Sequence, residues 1–321
     1  MNNQQKLCTL LTIVFKHKAT DIHFNYNDAN LTVEIRGISK FIDISKPIFD
    51  IDFFNYIQYI ANLDLADQNK PQTSSFSFLY YDKTIHMRFA LIKSNQQING
   101  VLRILYQKAI NNDLTIYKEQ HRHFKDMLKL KSGLIILSGP TGSGKTTTAY
   151  NLLLKLVPKR IYTIEDPIEM KLTDIIQLQV NNRQNLDYEN GIKQLMRHDP
   201  DVLFIGEIRD EKEAQMAIRS ALTGHLVLTT IHAKSCVGVI ARLKDLNINM
   251  FDFYESISYI INQRLVNKLY QKERLAIYEI MDTKAIAFYH QHQALPDNYK
   301  TLSFYFEKAK QDKFISSKTE I

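Results

Sequence analysis

The chain has only two cysteines in 321 residues, Cys8 and Cys236. Two thiols cannot build a four-cysteine zinc ribbon, and a disulfide is not expected in a reducing compartment. Long apolar runs are missing as well: no stretch approaches the roughly 20 apolar residues that a membrane span needs. The opening segment "MNNQQKLCTLLTIVFKHKATD" starts polar and lacks a small-residue cleavage site. It reads as an amphipathic helix and not as a signal peptide, so the cytoplasm is the expected location. There is no dense basic block. The net charge is +7 and the pI is about 9.1, yet lysines such as those of "LKLKSG" and "KAKQDK" are scattered, as on solvated faces. Direct nucleic-acid binding is therefore not expected. Glycine is scarce, ten in all, and three of the ten fall in one eight-residue loop.

What is present is apolar enough for real cores, at 45% hydrophobic, and long enough for two domains. Up to about residue 110, "DIHFNY", "LTVEIRG", "SFSFLYYD", "TIHMRFALI" and "NGVLRILY" alternate polar and apolar residues as short strands do. Between them, "DFFNYIQYIANLDLAD" has helical spacing. This predicts a small α+β domain over 1–108. The polar stretch 109–119, with the turn signal Asn111-Asn112-Asp113, reads as a linker. From 120 to 321, short apolar strands alternate with longer helices, the pattern of a mainly parallel sheet in an α/β domain.

Four of those strands end in polar groups. "GLIILS" runs into Gly139, "IYTI" into Glu165 and Asp166, "VLFIG" into Glu207, and "LVLTTI" into His232. Ligands of open α/β sheets bind at the carboxyl ends of the strands. "GPTGSGKT", from Gly139 through Pro140, Thr141, Gly142, Ser143, Gly144 and Lys145 to Thr146, matches the phosphate-loop pattern G-x-x-x-x-G-K-S/T. Its glycines let backbone N–H groups approach phosphate oxygens. The helix that follows, which includes Thr147, turns its positive N-terminus toward the anion. Lys145 can reach the β/γ-phosphates and Thr146 can ligate Mg²⁺. Glu165 and Asp166 offer carboxylates to a metal, partly through water, and Glu169 follows Pro167. Glu207 can orient or deprotonate the attacking water. Arg209 and Asp210 fit a structural pair.

Together "GPTGSGKTTT", "TIEDPIE", "DPDVLFIGEIRD" and "TGHLVLTTIHAKS" resemble, in order and spacing, the type II/type IV secretion ATPases. The resemblance implies a RecA-like P-loop NTPase domain behind a small PAS-like α+β domain. It implies ATP and Mg²⁺ as cofactors and a homo-hexameric motor acting on a polytopic inner-membrane platform protein, with pilins handled indirectly. The motor would sit peripherally on the cytoplasmic face of the membrane. Gly139–Thr146 resemble the family's Walker A loop, Glu165, Asp166 and Glu169 its aspartate box, Glu207 its Walker B glutamate, and His225 and His232 its histidine box. His225 lies seven residues before His232, so both cannot face the nucleotide along one straight strand. It is expected nearer a domain or subunit boundary; two core histidines are the structural alternative.

In the first half, "ATDIHF" resembles the family's S-D-I-H segment, with Thr20 in place of serine. "HMRFALI" and "GVLRIL" resemble its arginine-bearing strands, which implies that Arg88 and Arg103 reach a neighbouring subunit's nucleotide. Arg36 resembles a further family arginine. The departures are informative. "PQTSSFSF" lacks the glycine and arginine of P-Q-D-G-R. "NQRLVNKLYQKERLAIYEIMD" keeps Gln263-Arg264-Leu265 without the zinc-binding cysteines, so no zinc is expected. "AIAFYHQH" keeps little of the retraction motors' A-I-R-N-L-I-R-E. A short, zinc-free member of this kind resembles the competence pilus assembly ATPases of Gram-positive bacteria. Another pilus or secretion ATPase, a nucleic-acid motor, and an ATP-dependent scaffold with little hydrolysis remain as alternatives.

Overall fold

The computed structural model describes residues 1–17, 19–27, 30–36, 41–65, 70–94, 97–105, 114–180, 186–269 and 274–319. The Asn111-Asn112-Asp113 turn and the first part of the expected linker, 109–113, lie outside them. Two compact units are present, Met1–Ala109 with Glu169–Lys171, and Ile110–Ile168 with Leu172–Ile321.

The first unit contains α1 (Asn3–His17), β1 (Asp21–Asn27), β2 (Asn30–Arg36), β3 (Phe41–Asp43), α2 (Ile51–Ile60), β4 (Gln72–Tyr80), β5 (Lys83–Lys93) and β6 (Gln97–Leu105). The strands form one antiparallel sheet in the order β3-β2-β1-β6-β5-β4. Leu7, Leu10, Leu11 and Val14 recur at helical spacing on α1 and are fully buried. They share a core with Phe24, Phe53, Phe54 and Phe89. Helix α2 is shorter than the aromatic spacing over 52–67 predicts. Asp50 caps its start by accepting from Phe53 N, and Asn62, at φ 56°, turns the chain out just past Ala61.

The second unit contains α3 (Lys118–Met127), β7 (Gly133–Ser138), α4 (Lys145–Leu156), β8 (Ile161–Glu165), β9 (Ile176–Gln179), α5 (Tyr188–Leu195), β10 (Val202–Ile208), α6 (Glu211–Leu222), β11 (Leu226–Ile231), α7 (Cys236–Asp245), α8 (Met250–Ser256), β12 (Ile257–Asn267), β13 (Arg274–Asp282), α9 (Thr283–His292) and α10 (Leu302–Gln311). The sheet order is β13-β12-β7-β11-β10-β8-β9. All neighbours are parallel except β12 and β13, which form an antiparallel hairpin at one edge. This is the mainly parallel sheet expected from the alternating pattern. β11 is buried at every position, as in a strand covered on both faces. Its alternate residues Val227 and Ile231 join a core with Leu134, Ile136, Ile164 and Ile205 and with residues of the packed helices.

Candidate nucleotide site

Because β7, β8, β10 and β11 are parallel neighbours, their carboxyl ends lie along one edge of the sheet. The loop leaving β7 holds Gly139, Gly142 and Gly144 at φ 145°, 78° and 88°, a region that favours glycine. A Cβ on Gly142 would meet nothing within 4 Å, so that side of the loop is open. Helix α4 starts at Lys145 with Gly144 as its N-cap and no side-chain cap. A helix start of this kind, entered from a glycine loop, is where phosphates bind, with the dipole favouring the anion. Ser143 Oγ is buried without a hydrogen-bond partner beside it. Lys145 Nζ donates to the carbonyls of Gly139 at 3.0 Å and Pro140 at 3.3 Å. This cradle fits a polyphosphate.

Glu207 sits where β10 shifts register between Ile205 and Ile208. Such an irregularity re-aims side chains at a strand end. Thr230 Oγ1 pins it by donating to the Gly206 carbonyl at 2.7 Å. Glu207 Oε1 lies 2.7 Å from His232 Nε2, and His232 Nδ1 lies 3.1 Å from the Gly139 carbonyl oxygen. The ring thus bridges the β10 carboxylate and the phosphate loop. Arg209 Nη1 lies 2.9 Å from Asp166 Oδ2, and Arg209 Nε lies 3.3 Å from Glu207 Oε2. Burial opposes the Arg209 cation, but the two carboxylates outweigh it and hold the guanidinium above its ordinary value. Asp210 caps α6 by accepting from Glu213 N, while Glu213 accepts from the backbone of Arg209 and Asp210.

The sequence assigned Glu165 to metal and water, and the structure departs from that. The residue is 2% exposed, and its carboxylate accepts from Tyr150 Oη, from Thr163 Oγ1 at 2.6 Å and from Gln177 Nε2 at 3.1 Å. It is buried between the sheet and α4, bonded from both. Asp166, next in the chain, stays at the open edge. His225, read as a cofactor residue, stands before the first residue of β11, whereas His232 follows the last. Seven residues of strand span about 23 Å. Its Nδ1 lies near Thr223 Oγ1 and the Ser220 carbonyl, so it belongs to the other end of the sheet.

In the first unit, Arg88 and Arg103 are direct register partners on β5 and β6, so their side chains share a sheet face. Arg103 pairs with Asp21 of β1, with Nε 2.5 Å from Oδ1. Arg36 ends β2, opposite Phe41 of β3. Glu169 groups with this first unit.

Among the described residues, no three His, Cys, Asp or Glu side chains converge as a preformed metal cage. Mg²⁺ binds through one or two protein ligands plus substrate phosphates. At this edge the exposed Asp166, and Thr146 in the first turn of α4, would hold it. Among the described residues no helix is long and apolar enough to cross a membrane. Arg209, Tyr150 and the buried Gln263 are the site-bearing residues that sequence reading underweighted.

A glycine loop entering a helix from a parallel sheet, with a carboxylate at the end of the next strand but one, defines a P-loop nucleotide-binding protein. The family model described as type II/IV secretion system protein matches residues 4–302, and the chain belongs to that family. Type II secretion system protein E of Dickeya dadantii is 35% identical over 267 residues, covering 81% of this chain and 54% of that protein. The chain thus spans about half the length of that relative. Competence protein ComGA of Bacillus subtilis is 33% identical over 266 residues, covering 80% of this chain and 74% of ComGA. Among solved structures, the pilus retraction motor PilT with bound ADP superposes with a TM-score of 0.73 at 22% identity, covering 97% of this chain and 94% of PilT. The Legionella pneumophila ATPase DotB gives 0.74 at 17% identity, covering 98% and 94%. Both likenesses show the shared fold.

Proposed function

We propose that this chain is an ATP-hydrolysing hexameric motor that powers assembly of a competence pilus for DNA uptake. The observation that carries the proposal is the Glu207–His232–Gly139 bridge, which joins a candidate water-activating carboxylate to the phosphate loop. Loop N–H groups and the start of α4 bind the phosphates. Lys145 moves from the loop carbonyls to the β/γ-phosphate oxygens. Glu207 orients the attacking water and takes its proton. Arg209 holds Asp166 at the edge, where Asp166 and Thr146 would hold Mg²⁺. The metal, when bound, neutralises charge on the β- and γ-phosphate oxygens. Glu165 fixes the end of β8 from within. Arg88 and Arg103 act on a neighbouring subunit's nucleotide, and an arginine supplied in this way is worth about 10³–10⁵ in rate.

Support for the pilus assignment comes from ComGA, three quarters of which this chain spans. The partners proposed are copies of the same chain and a polytopic membrane platform protein, reached from the cytoplasmic side. A second reading, a motor for type II secretion, is favoured by the likeness to protein E of Dickeya dadantii. Replacing the chromosomal copy with Glu207→Gln tests the choice. Loss of transformation and of surface pilin filaments at unchanged protein level is the expected result. Normal DNA uptake with loss of exoprotein secretion would move the assignment to the second reading.

A further inference from the structure

Strand β12 runs parallel to β7, with Asn262 opposite Ser138, and continues past the point where β7 gives way to the phosphate loop. Beyond that point its side chains take over the bonding. Gln263 is 1% exposed. Its Nε2 donates to the Ser143 carbonyl at 2.7 Å, and its Oε1 accepts from Thr148 Oγ1 at 2.9 Å. One amide therefore ties the phosphate loop to the first turn of α4. The loop glycines press directly onto it. A Cβ on Gly139 would stand 2.5 Å from the Gln263 carbonyl oxygen, and one on Gly144 would stand 2.9 Å from Gln263 Nε2. These two glycines thus admit the close approach of β12 as well as a positive φ.

The flanking residues point the other way, as alternation along a strand requires. Asn262, fully buried, donates from Nδ2 to Ser138 Oγ at 2.8 Å and to the Ala233 carbonyl at 3.1 Å. Its Oδ1 accepts from Arg264 Nη1 at 3.1 Å, and Arg264 Nη2 donates to the Lys234 carbonyl at 3.2 Å. Ala233 and Lys234 directly follow His232. Three consecutive residues on one strand thus hold the phosphate loop and the segment that follows His232.

We infer that Asn262-Gln263-Arg264 is a brace that positions the nucleotide machinery with a division of labour. Gln263 sets the phosphate loop and so governs nucleotide affinity. Asn262 and Arg264 set the segment carrying His232 and so govern turnover. The inference rests on the nucleotide-site reading given above. A buried amide with both ends bonded is costly to replace, and its loss leaves the Ser143 carbonyl and the Thr148 hydroxyl without those partners.

The test compares wild type, Gln263→Ala, Gln263→Glu, Asn262→Ala and Asn262→Ser by fluorescent-ADP titration and steady-state ATP turnover. Gln263→Ala is expected to weaken ADP binding at least tenfold and to keep saturating turnover within threefold. Gln263→Glu, which keeps the acceptor but loses the donor, is expected to bind no better than Gln263→Ala. Asn262→Ala is expected to keep affinity within threefold and to lose at least tenfold in turnover, with Asn262→Ser intermediate. Parallel loss of affinity and turnover in both series, or no loss in either, overturns the division. Hydrogen exchange without nucleotide supplies a readout independent of binding and hydrolysis. Gln263→Ala should speed exchange over 139–148, and Asn262→Ala over 232–236. Unchanged exchange in both segments overturns the brace even if the nucleotide reading holds. If the wild type binds no nucleotide, that reading fails while the exchange data still judge the brace. Should the alanine variants not fold, exchange in the wild type on adding ADP decides: protection of 139–148 and 232–236 together supports the brace, and protection of 139–148 alone overturns it.

Discussion

His232 Nε2 lies 2.7 Å from Glu207 Oε1, while the same ring holds Nδ1 3.1 Å from the Gly139 carbonyl oxygen. Both partners are acceptors. Both contacts are satisfied only when a proton sits on each ring nitrogen, or on Glu207 in place of Nε2. The ring therefore couples the position of the β10 carboxylate to that of the phosphate loop.

Replacing His232 with Ala breaks that coupling and leaves the loop glycines and Lys145 in place. Saturating turnover should fall at least tenfold and nucleotide affinity should change less than threefold. Steady-state kinetics together with an ADP titration check this. Equal loss of both would mean that His232 serves mainly to hold the loop.

Glu165→Ala should act first on stability. It leaves the Tyr150, Thr163 and Gln177 donors without their buried acceptor, at a cost of about 1–3 kcal/mol each at most. A unit of this size loses about 2–4 °C of Tm per kcal/mol. Thermal denaturation measures it. An unchanged melting temperature with abolished turnover would return Glu165 to direct chemistry.

Asp21 gives the pH dependence. Burial raises its carboxyl, but the bonds from Arg103 and Thr20 and the Arg103 charge outweigh burial and hold it below the ordinary aspartate value. A depressed folded value contributes stability that is present above the ordinary value and lost as pH falls through the folded one. Arg103→Ala should therefore destabilise the chain at pH 7, with the gap from wild type narrowing as pH falls below the ordinary aspartate value. Denaturation midpoints from neutral to acid pH check it. A gap of equal size at both ends of that range would mean the pair contributes through packing and not through charge.

The local parts of this site were legible in the sequence. Gly139–Thr146 is one contiguous segment, and the strand-end positions of Asp166, Glu207 and His232 follow from apolar runs that stop at polar residues. The seven-residue gap between His225 and His232 already indicated that both could not serve one edge. The missing parts depend on long-range packing. Glu165 and Asp166 look alike as strand-end acids, and only Tyr150 of α4 and Gln177 of β9, brought to Glu165 by tertiary packing, show that one is buried. The bond from Gln263 to Ser143 spans 120 residues, and no local pattern announces it. Arg209 read as a structural partner of Asp210 because Asp166, with which it pairs, is 43 residues away. In the first unit, the spacing that marked a helix over 52–67 continued past Asn62, where backbone conformation and not hydrophobic pattern ended α2.

The central claim is ATP hydrolysis by Glu207 within a ring, and one comparison tests it most directly. Wild type and Glu207→Gln are purified, and mass and ATP turnover are recorded with and without DNA. The account expects an ATP-supported hexamer in both, turnover indifferent to DNA in the wild type, and at least a hundredfold loss in the variant. Equal turnover in the two proteins, or strong stimulation of the wild type by DNA, would contradict it.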